Sequence, residues 1–236
     1  MRQVSLFIAL ACLITTAQAA PLSYEAVIGW ESNYVQQGRR FDNDAGRYWA
    51  ILSASWQQTT LYTELNRGDG LNYTETKFGI EYAFENTGDF EWSVGYHHIE
   101  FYGVERARDN EFFTDLAYIG WSWLTPSLNY TYATENSGYF VELALSHEWQ
   151  INEEFTLVPY ILQGFDYDYV TDDHNGDNHR QVGLELIWQW TEAVELCVHL
   201  HHAFEGTDIR REYGDTNLVP EGSDITWGGL FLIWDF

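Results

Sequence analysis

The sequence has few cysteines and few basic residues. Its 236 residues include two cysteines, Cys12 and Cys197, and Cys12 lies in an apolar N-terminal run. A single remaining cysteine cannot form an internal disulfide, so covalent cross-links do not hold the fold together. Eleven Lys and Arg residues stand against 36 Asp and Glu residues, which gives a net charge of −25. This balance excludes the basic footprint that nucleic-acid binding requires, and we expect no nucleic-acid partner.

Long apolar runs are also absent from the sequence, except at the N-terminus. The apolar run at residues 4–14 is shorter than the ~20 residues that a membrane-spanning helix needs. It follows a positive charge and is itself followed by small residues at 17–19. This pattern predicts a secretory signal peptide over residues 1–19 and one mature domain over residues 20–236.

The mature chain alternates apolar and polar residues with a period of two, which is typical of half-buried β-strands. In residues 74–84, Phe78 and Ile80 share one face of the extended chain, and Glu75 and Lys77 share the other. No segment predicts a helix of convincing length. Turn signals divide the chain into twelve predicted strands, near residues 23–35, 47–57, 59–66, 72–84, 90–101, 111–123, 127–134, 138–149, 155–168, 179–190, 194–205 and 224–236.

The connections between the predicted strands alternate in length. Those after even-numbered strands are short, whereas most of the others are long, at 36–46, 102–110, 169–178 and 206–223. An even number of strands with short turns at one end and long loops at the other is the signature of a transmembrane β-barrel. We therefore predict an all-β, antiparallel up-and-down barrel of about 12 strands in the bacterial outer membrane.

Aromatic residues gather at the predicted short turns, as the interface of a membrane would select. A soluble β-sandwich with these rings in its core is the alternative, but it gives no reason for clustering at alternate turns. The cluster comprises Trp56, Phe84, Phe90, Trp92, Trp121, Trp123, Trp149, Phe155, Trp188, Trp190, Trp234 and Phe236.

The C-terminal residues GLFLIWDF, 229–236, continue a strand pattern to the last residue. Because lipid does not tolerate an open sheet edge, we expect the last strand to pair with the first. A terminal Phe after alternating apolar residues also resembles the signal that the β-barrel assembly machinery of the outer membrane reads. Phe236 is therefore a predicted contact with that machinery.

Nearly all basic residues lie in or beside the predicted long loops, and the only lysine, Lys77, lies in a strand. Arginine binds phosphate through a bidentate fork, and the outer leaflet of an outer membrane presents the phosphates of lipopolysaccharide. We predict that this rim contacts outer-membrane lipid and lipopolysaccharide; ordinary solvated loop charge is the alternative. The predicted rim comprises Arg39, Arg40, Arg106, Arg108, Arg210 and Arg211.

The polar face of each strand must line the barrel interior, and it is mostly acidic. Such a field concentrates cations and repels anions, which predicts a porin-like channel for small cationic or neutral solutes. The alternatives are a plugged, non-conducting barrel and a barrel that binds a hydrophobic ligand, since the strands near 155–168 and 224–236 carry inward apolar residues. The predicted pore-lining residues are Glu75, Lys77, Glu81, Glu91, Glu142, Glu148, Glu185, Glu195, His199 and His201.

Polar side chains in the strands suggest two other chemistries. A short turn at 191–193 places Glu185 opposite His199, and such a pair could bind Zn or Cu. A polar wall without metal is the preferred interpretation, and no cofactor is expected. The tempting Ser146-His147-Glu148 run cannot form a catalytic relay, because adjacent strand residues point to opposite faces. We therefore expect no enzyme, although an outer-membrane lipid hydrolase is the enzymatic alternative.

The segment IGWESNYVQQGRRF, residues 28–41, resembles the N-terminal "SDYVFRG"-type segment of the TorF-type family of outer-membrane porins. Asn33-Tyr34-Val35 and Gly38 match that pattern, whereas Gln36-Gln37 depart from its aromatic and arginine pair. The resemblance extends to the length, the leader and the terminal strand. It implies a porin architecture and supplies no substrate and no catalytic residues.

Overall fold

The computed structural model describes residues 22–40, 46–70, 73–85, 87–103, 106–170, 175–214 and 224–236. The predicted signal peptide at 1–19 lies outside the described residues. No helix in the described part of the chain is long and apolar enough to cross a membrane. The strands are β1 (Ser23–Glu31), β2 (Val35–Gln36), β3 (Arg39–Arg40), β4 (Arg47–Trp56), β5 (Thr59–Gly68), β6 (Thr74–Phe84), β7 (Phe90–Tyr102), β8 (Arg106–Tyr118), β9 (Thr125–Ala133), β10 (Gly138–Ser146), β11 (Trp149–Gln150), β12 (Phe155–Tyr167), β13 (Asn175–Thr191), β14 (Val194–Glu205) and β15 (Ile225–Asp235), and the helix is α1 (Thr207–Gly214).

The predicted twelve-stranded antiparallel barrel is confirmed. Neighbouring strands follow the order β10-β9-β8-β7-β6-β5-β4-β1-β15-β14-β13-β12, and pairing of β10 with β12 closes the cylinder. The short β11 pairs with β12 beyond the end of β10, and β2 and β3 form a separate two-stranded hairpin. Below, the turns β4–β5, β6–β7, β8–β9, β10–β12 and β13–β14 define the short-turn end, and the opposite end is the long-loop end.

The first and last long strands are hydrogen-bonded neighbours, as predicted. Their register pairs Glu25 with Asp235 and Trp30 with Leu230. At the short-turn end the backbone N–H of Tyr24 donates to the carbonyl of Phe236 at 3.0 Å, and the Phe236 N–H donates to the carbonyl of Tyr24 at 3.0 Å. This junction satisfies the two edges that an open sheet would leave unpaired.

The barrel is apolar outside and polar inside. Large outward side chains such as Ile28, Leu61 and Leu200 are more than half exposed, whereas Glu75 and Lys77 on the inward face of β6 are buried. This alternation is what the period-two pattern requires when one face meets lipid and the other a polar interior. Of the exposed Trp side chains in the described part of the chain, all but Trp30 lie near the short turns, where Phe84 stacks on Trp92 with a centroid distance of 4.1 Å.

Three of the predicted strands differ from the observed strands by at least four residues at one or both ends. The sixth predicted strand, 111–123, is observed as Arg106–Tyr118, so the predicted loop at 102–110 is mostly strand. The polar residues there resemble a loop in sequence, but they pair with β7, as Arg108 does with Glu100. The first predicted strand ends at Glu31 rather than at 35, because the chain turns inward there. The tenth predicted strand, 179–190, is observed as β13 and begins at Asn175 instead of at 179.

Candidate functional site

A hairpin from the β1–β4 loop enters the barrel. Its two strands, β2 and β3, pair through Val35 and Arg40, and Gln37 and Gly38 form the turn with φ values of 44° and 71°. Glycine is required at the tip, since a Cβ on Gly38 would lie 2.5 Å from the side chain of His179 on the inner wall of β13. The hairpin therefore touches the wall of the barrel and narrows the lumen from the long-loop end.

Arg39 anchors this hairpin to the opposite wall. Its side chain is 3% exposed, and its Nη1 donates to Oδ1 of Asn178 at 2.7 Å. The same guanidinium meets three carboxylates, which lie on β12 and α1: Asp166 at 3.5 Å, Asp208 at 3.2 Å and Glu212 at 2.7 Å. The prediction that Arg39 faces lipopolysaccharide is therefore wrong, because its five donors are directed into the protein.

Tyr34 forms the second attachment of the hairpin. Its hydroxyl lies 2.8 Å from Oε2 of Glu75 and 2.8 Å from Oε1 of Gln36. Burial raises the pKa of Tyr34 well above its ordinary value, so the hydroxyl keeps its proton and donates. The guanidinium of Arg47 lies over the Tyr34 ring, 3.1 Å from its centroid, in a cation–π contact.

A charged network fills the wall on the β5–β8 side of the lumen. Lys77 lies buried among the carboxylates of Glu64, Glu75 and Glu111. Arg39 and Arg47 are buried inside the barrel as well, so Lys77 is one of three buried Lys or Arg side chains among the described residues. The network therefore balances part of the interior negative charge on this side.

Tyr169 closes the same network from the β12–β13 loop. Its hydroxyl donates to Glu111, whose other oxygen is hydrogen-bonded to His97. Burial raises the pKa of Tyr169 well above its ordinary value, which keeps the hydroxyl protonated for this bond. His97 is held in turn by the hydroxyl of Tyr62 at 3.0 Å. Sequence reasoning missed Glu111, although it lies on the inward face of its strand.

A cavity of about 740 Å³ occupies the other side of the lumen. It runs from the hairpin tip at 36–38 to residues of the short-turn end, including Gln57, Glu192 and Phe236. Its wall comes mainly from β1, β4 and β13–β15. The described residues that line it include eight carboxylates and neither Lys nor Arg. The charged part of the lining is Glu25, Glu31, Glu81, Glu142, Glu185, Glu192, Glu195 and Asp235.

The predicted pore-lining residues lie in four different places. Glu81, Glu142, Glu185, Glu195, His199 and His201 line this cavity. Glu75 and Lys77 belong to the charged network instead, and Glu91 lies half-buried on the inward face of β7. Glu148 follows the end of β10 and is exposed, so it belongs to the short-turn rim rather than to the wall.

The predicted pairing of Glu185 with His199 across β13 and β14 is present in the register. The imidazole of His199 nevertheless turns toward Glu31, with Nε2 3.5 Å from Oε1, and His201 Nε2 lies 3.9 Å from Oε1 of Glu185. In the described part of the chain, no group of three or more His, Cys, Asp or Glu side chains is placed to hold a metal ion.

The five other predicted rim arginines are exposed. Arg106 lies over the Tyr102 ring at 5.2 Å, and Arg210 pairs with Glu205 at 3.3 Å. Their binding to lipopolysaccharide stays a prediction. The exposed set is Arg40, Arg106, Arg108, Arg210 and Arg211.

Comparison with known proteins identifies the fold and not a family. No family model matches the sequence, and no curated protein matches it. The structure is similar to the KdgM porin, with a TM-score of 0.62 and 10% identity over 90% of this chain and 99% of that chain. It is also similar to the KdgM porin in complex with disordered oligogalacturonate, with a TM-score of 0.59 and 9% identity over 91% of this chain and 99% of that one.

The NanC porin is a third similar structure, with a TM-score of 0.54 and 13% identity over 90% of this chain and 98% of the other. The fold is that of a porin barrel. At such identities the likeness extends only to the arrangement of the strands. The chemistry of the lumen depends on the side chains of this chain.

Proposed function

We propose that this protein is an outer-membrane, porin-like channel for small solutes whose acidic lumen favours cationic or neutral solutes. The carboxylate-lined cavity is the observation that carries the proposal. Low-dielectric walls focus the field of like charges, so a lumen of this kind attracts cations and repels anions. The apolar outer surface and the porin fold support a location in the bacterial outer membrane.

The charge of the cavity argues against an acidic cargo. One of the similar porins was determined with oligogalacturonate, an acidic oligosaccharide. Recognition of carboxylates calls for arginine or lysine along the path. The described lining of this cavity has neither, and the buried Arg39 and Arg47 are engaged by acidic and aromatic partners. We therefore propose that this protein shares its fold with that porin but takes a different class of solute.

The resemblance of Asn33-Tyr34-Val35 and Gly38 to the TorF-type porins agrees with this proposal. In this chain those residues form the start and the tip of the inward hairpin, which gives the pattern a structural role. We extend the proposal to export through the leader at 1–19 and to assembly through Phe236. Catalysis is not part of the proposal, because the Ser146 hydroxyl donates to the carbonyl of Thr125 rather than to a base.

The inward hairpin supports a second candidate function, a non-conducting barrel that binds a hydrophobic ligand. The hairpin narrows the lumen, and Trp49, Trp227 and Phe231 supply apolar surface to the cavity. An apolar ligand with few polar groups would fit such a wall.

Conductance in planar bilayers distinguishes the two candidates. Cation-selective steps from refolded protein, with a reversal potential that moves toward zero in a Glu142→Gln/Glu185→Gln variant, would support the channel. Glu153→Gln is the matched control, because it removes a charge from an exposed turn outside the cavity. A silent bilayer, with protein that still migrates as a heat-modifiable band, would overturn the open channel and favour the second candidate.

A further inference from the structure

We propose that the cavity contains a binding site for a primary ammonium cation with an apolar or aromatic body. This inference rests on the proposed function and specifies the solute class of the same lumen. Its volume of about 740 Å³ lies within the range of small-molecule sites, ~300–1,000 Å³. The argument comes from buried polar atoms that the protein leaves unpaired and from the aromatic wall beside them.

Two carboxylates in the cavity wall are buried with one oxygen unpaired. Glu142 on β10 is 5% exposed and Glu185 on β13 is 2% exposed. Among the described residues, Oε2 of Glu142 and Oε1 of Glu185 have no hydrogen-bond partner. Both side chains line the same cavity, but Glu142 is paired with Gly164 and Glu185 with Val158 on β12, so they lie far apart along the wall and one ammonium group can reach only one of them. A buried acceptor without a donor is costly, so these oxygens favour a ligand that brings N–H groups.

Imidazole and indole groups lie beside Glu185. The rings of His199 and His201 have centroids 4.3 Å apart, and each Nε2 has no hydrogen-bond partner among the described residues. His201 also meets the buried Trp227 at 5.2 Å, edge to face. Trp49 adds a second buried indole to the lining. Indole faces attract cations and cover apolar groups, so this wall suits the body of an organic ammonium ion.

The unpaired oxygen of Glu185 and the rings beside it determine which kind of cation fits. A primary ammonium group can donate one of its three N–H groups to Oε1 of Glu185 while its organic body lies against the indole and imidazole rings. A quaternary ammonium ion has no N–H group and would leave that oxygen unpaired. A metal ion needs a converging set of ligands, which the described residues do not form. An anion would meet eight carboxylates in the lining.

Isothermal titration calorimetry on the refolded, detergent-solubilised barrel tests the site directly. The probe is phenethylammonium chloride, and 2-phenylethanol is the neutral analogue of the same shape; titrations into protein-free micelles are subtracted. We expect the alcohol to bind at least about tenfold more weakly, because its hydroxyl can donate one hydrogen bond but carries no positive charge to pair with the buried carboxylate. Equal binding of the two compounds to the unaltered protein would overturn the proposal.

Variants locate the site within the barrel. Glu185→Gln should weaken phenethylammonium binding about tenfold, whereas Glu153→Gln should leave it within about twofold. Heat-modifiable migration on gels checks that each variant is folded. If Glu185→Gln does not weaken binding, the site is elsewhere and the proposal fails. Equilibrium binding does not require conduction, so a silent bilayer with intact binding would reject the channel alone, and conduction without binding would reject the site alone.

Discussion

Nη2 of Arg39 lies 3.2 Å from Oδ2 of Asp208, which joins the inward hairpin to helix α1 across the long-loop end of the barrel. The two residues are 169 positions apart in the chain. Both are buried, and Asp166 and Glu212 complete the acidic surroundings of the guanidinium. This ion-paired cluster holds in place the hairpin that narrows the lumen.

Replacement of Arg39 by alanine should therefore increase conductance. Removing one partner of a buried ion pair costs roughly 3–5 kcal/mol and leaves the carboxylates on α1 and β12 to repel one another. The hairpin then loses its anchor, and we expect single-channel conductance in planar bilayers to rise roughly twofold or more. Arg40→Ala is the matched control, since Arg40 lies on the same hairpin with its side chain exposed. Equal conductance of the unaltered protein and Arg39→Ala would show that the hairpin does not limit the pore.

Gly38→Ala tests the same hairpin without changing any charge. The new Cβ would lie 2.5 Å from His179, and the positive φ of 71° costs an alanine about 1–2 kcal/mol. Gly88→Ala is the control, because Gly88 has a φ of 70° and no atom within 4 Å of its Cβ position. Both variants carry the backbone strain, and Gly38→Ala alone adds the clash. If conductance rises in Gly38→Ala but not in Gly88→Ala, displacement of the hairpin explains the rise. The same rise in both variants would contradict that explanation.

The strands were predictable because their pattern is local. The alternation of side chains decides which face is buried, and a short turn carries the register across, as with Glu185 and His199. The ends of strands are harder to predict where a strand has the amino-acid composition of a loop. Arg106 and Arg108 have the character of loop residues, yet their backbones pair with β7 while their side chains stay outside.

The hairpin was not predictable, because the forces that hold it inside are not local. Arg39 and Arg40 are adjacent and identical in sequence, but one is buried and the other exposed. What distinguishes them is the position of Asp166, Asp208 and Asn178, which only the closed barrel brings together. A single sequence shows arginines beside a long loop and gives no sign of their partners.

The exposed arginines at the long-loop end should bind lipopolysaccharide. Arg106 and Arg108 lie on the outward face of β8, where their guanidinium groups can reach outer-leaflet phosphates. An Arg106→Gln/Arg108→Gln variant should co-purify with roughly half the lipopolysaccharide or less, measured as phosphate per protein in detergent. Arg180→Gln is the control, because Arg180 is exposed but already pairs with Asp177 at 3.3 Å. Unchanged phosphate content in the double variant would leave these residues as ordinary solvated charge.

Phe236 should be required for assembly of the barrel in cells more than for its stability once folded. Its backbone exchanges two hydrogen bonds with Tyr24, and its ring stacks on that of Tyr24 with a centroid distance of 5.6 Å. Phe236→Ala keeps the backbone bonds and loses only the exposed ring, so refolding in detergent should still yield the heat-modifiable form. In cells, a signal read by assembly machinery would be lost, and the assembled fraction in the outer membrane should fall several-fold.

Leu230→Ala is the matched control, because Leu230 lies on the same outward face of β15 but away from the terminus. A loss confined to Phe236→Ala in cells, with normal refolding in detergent, would identify the terminal ring as an assembly signal. Equal losses in both settings would instead show that the ring contributes to barrel closure, since the Tyr24 contact would then be limiting. The two measurements separate recognition from folding because detergent refolding contains no assembly machinery.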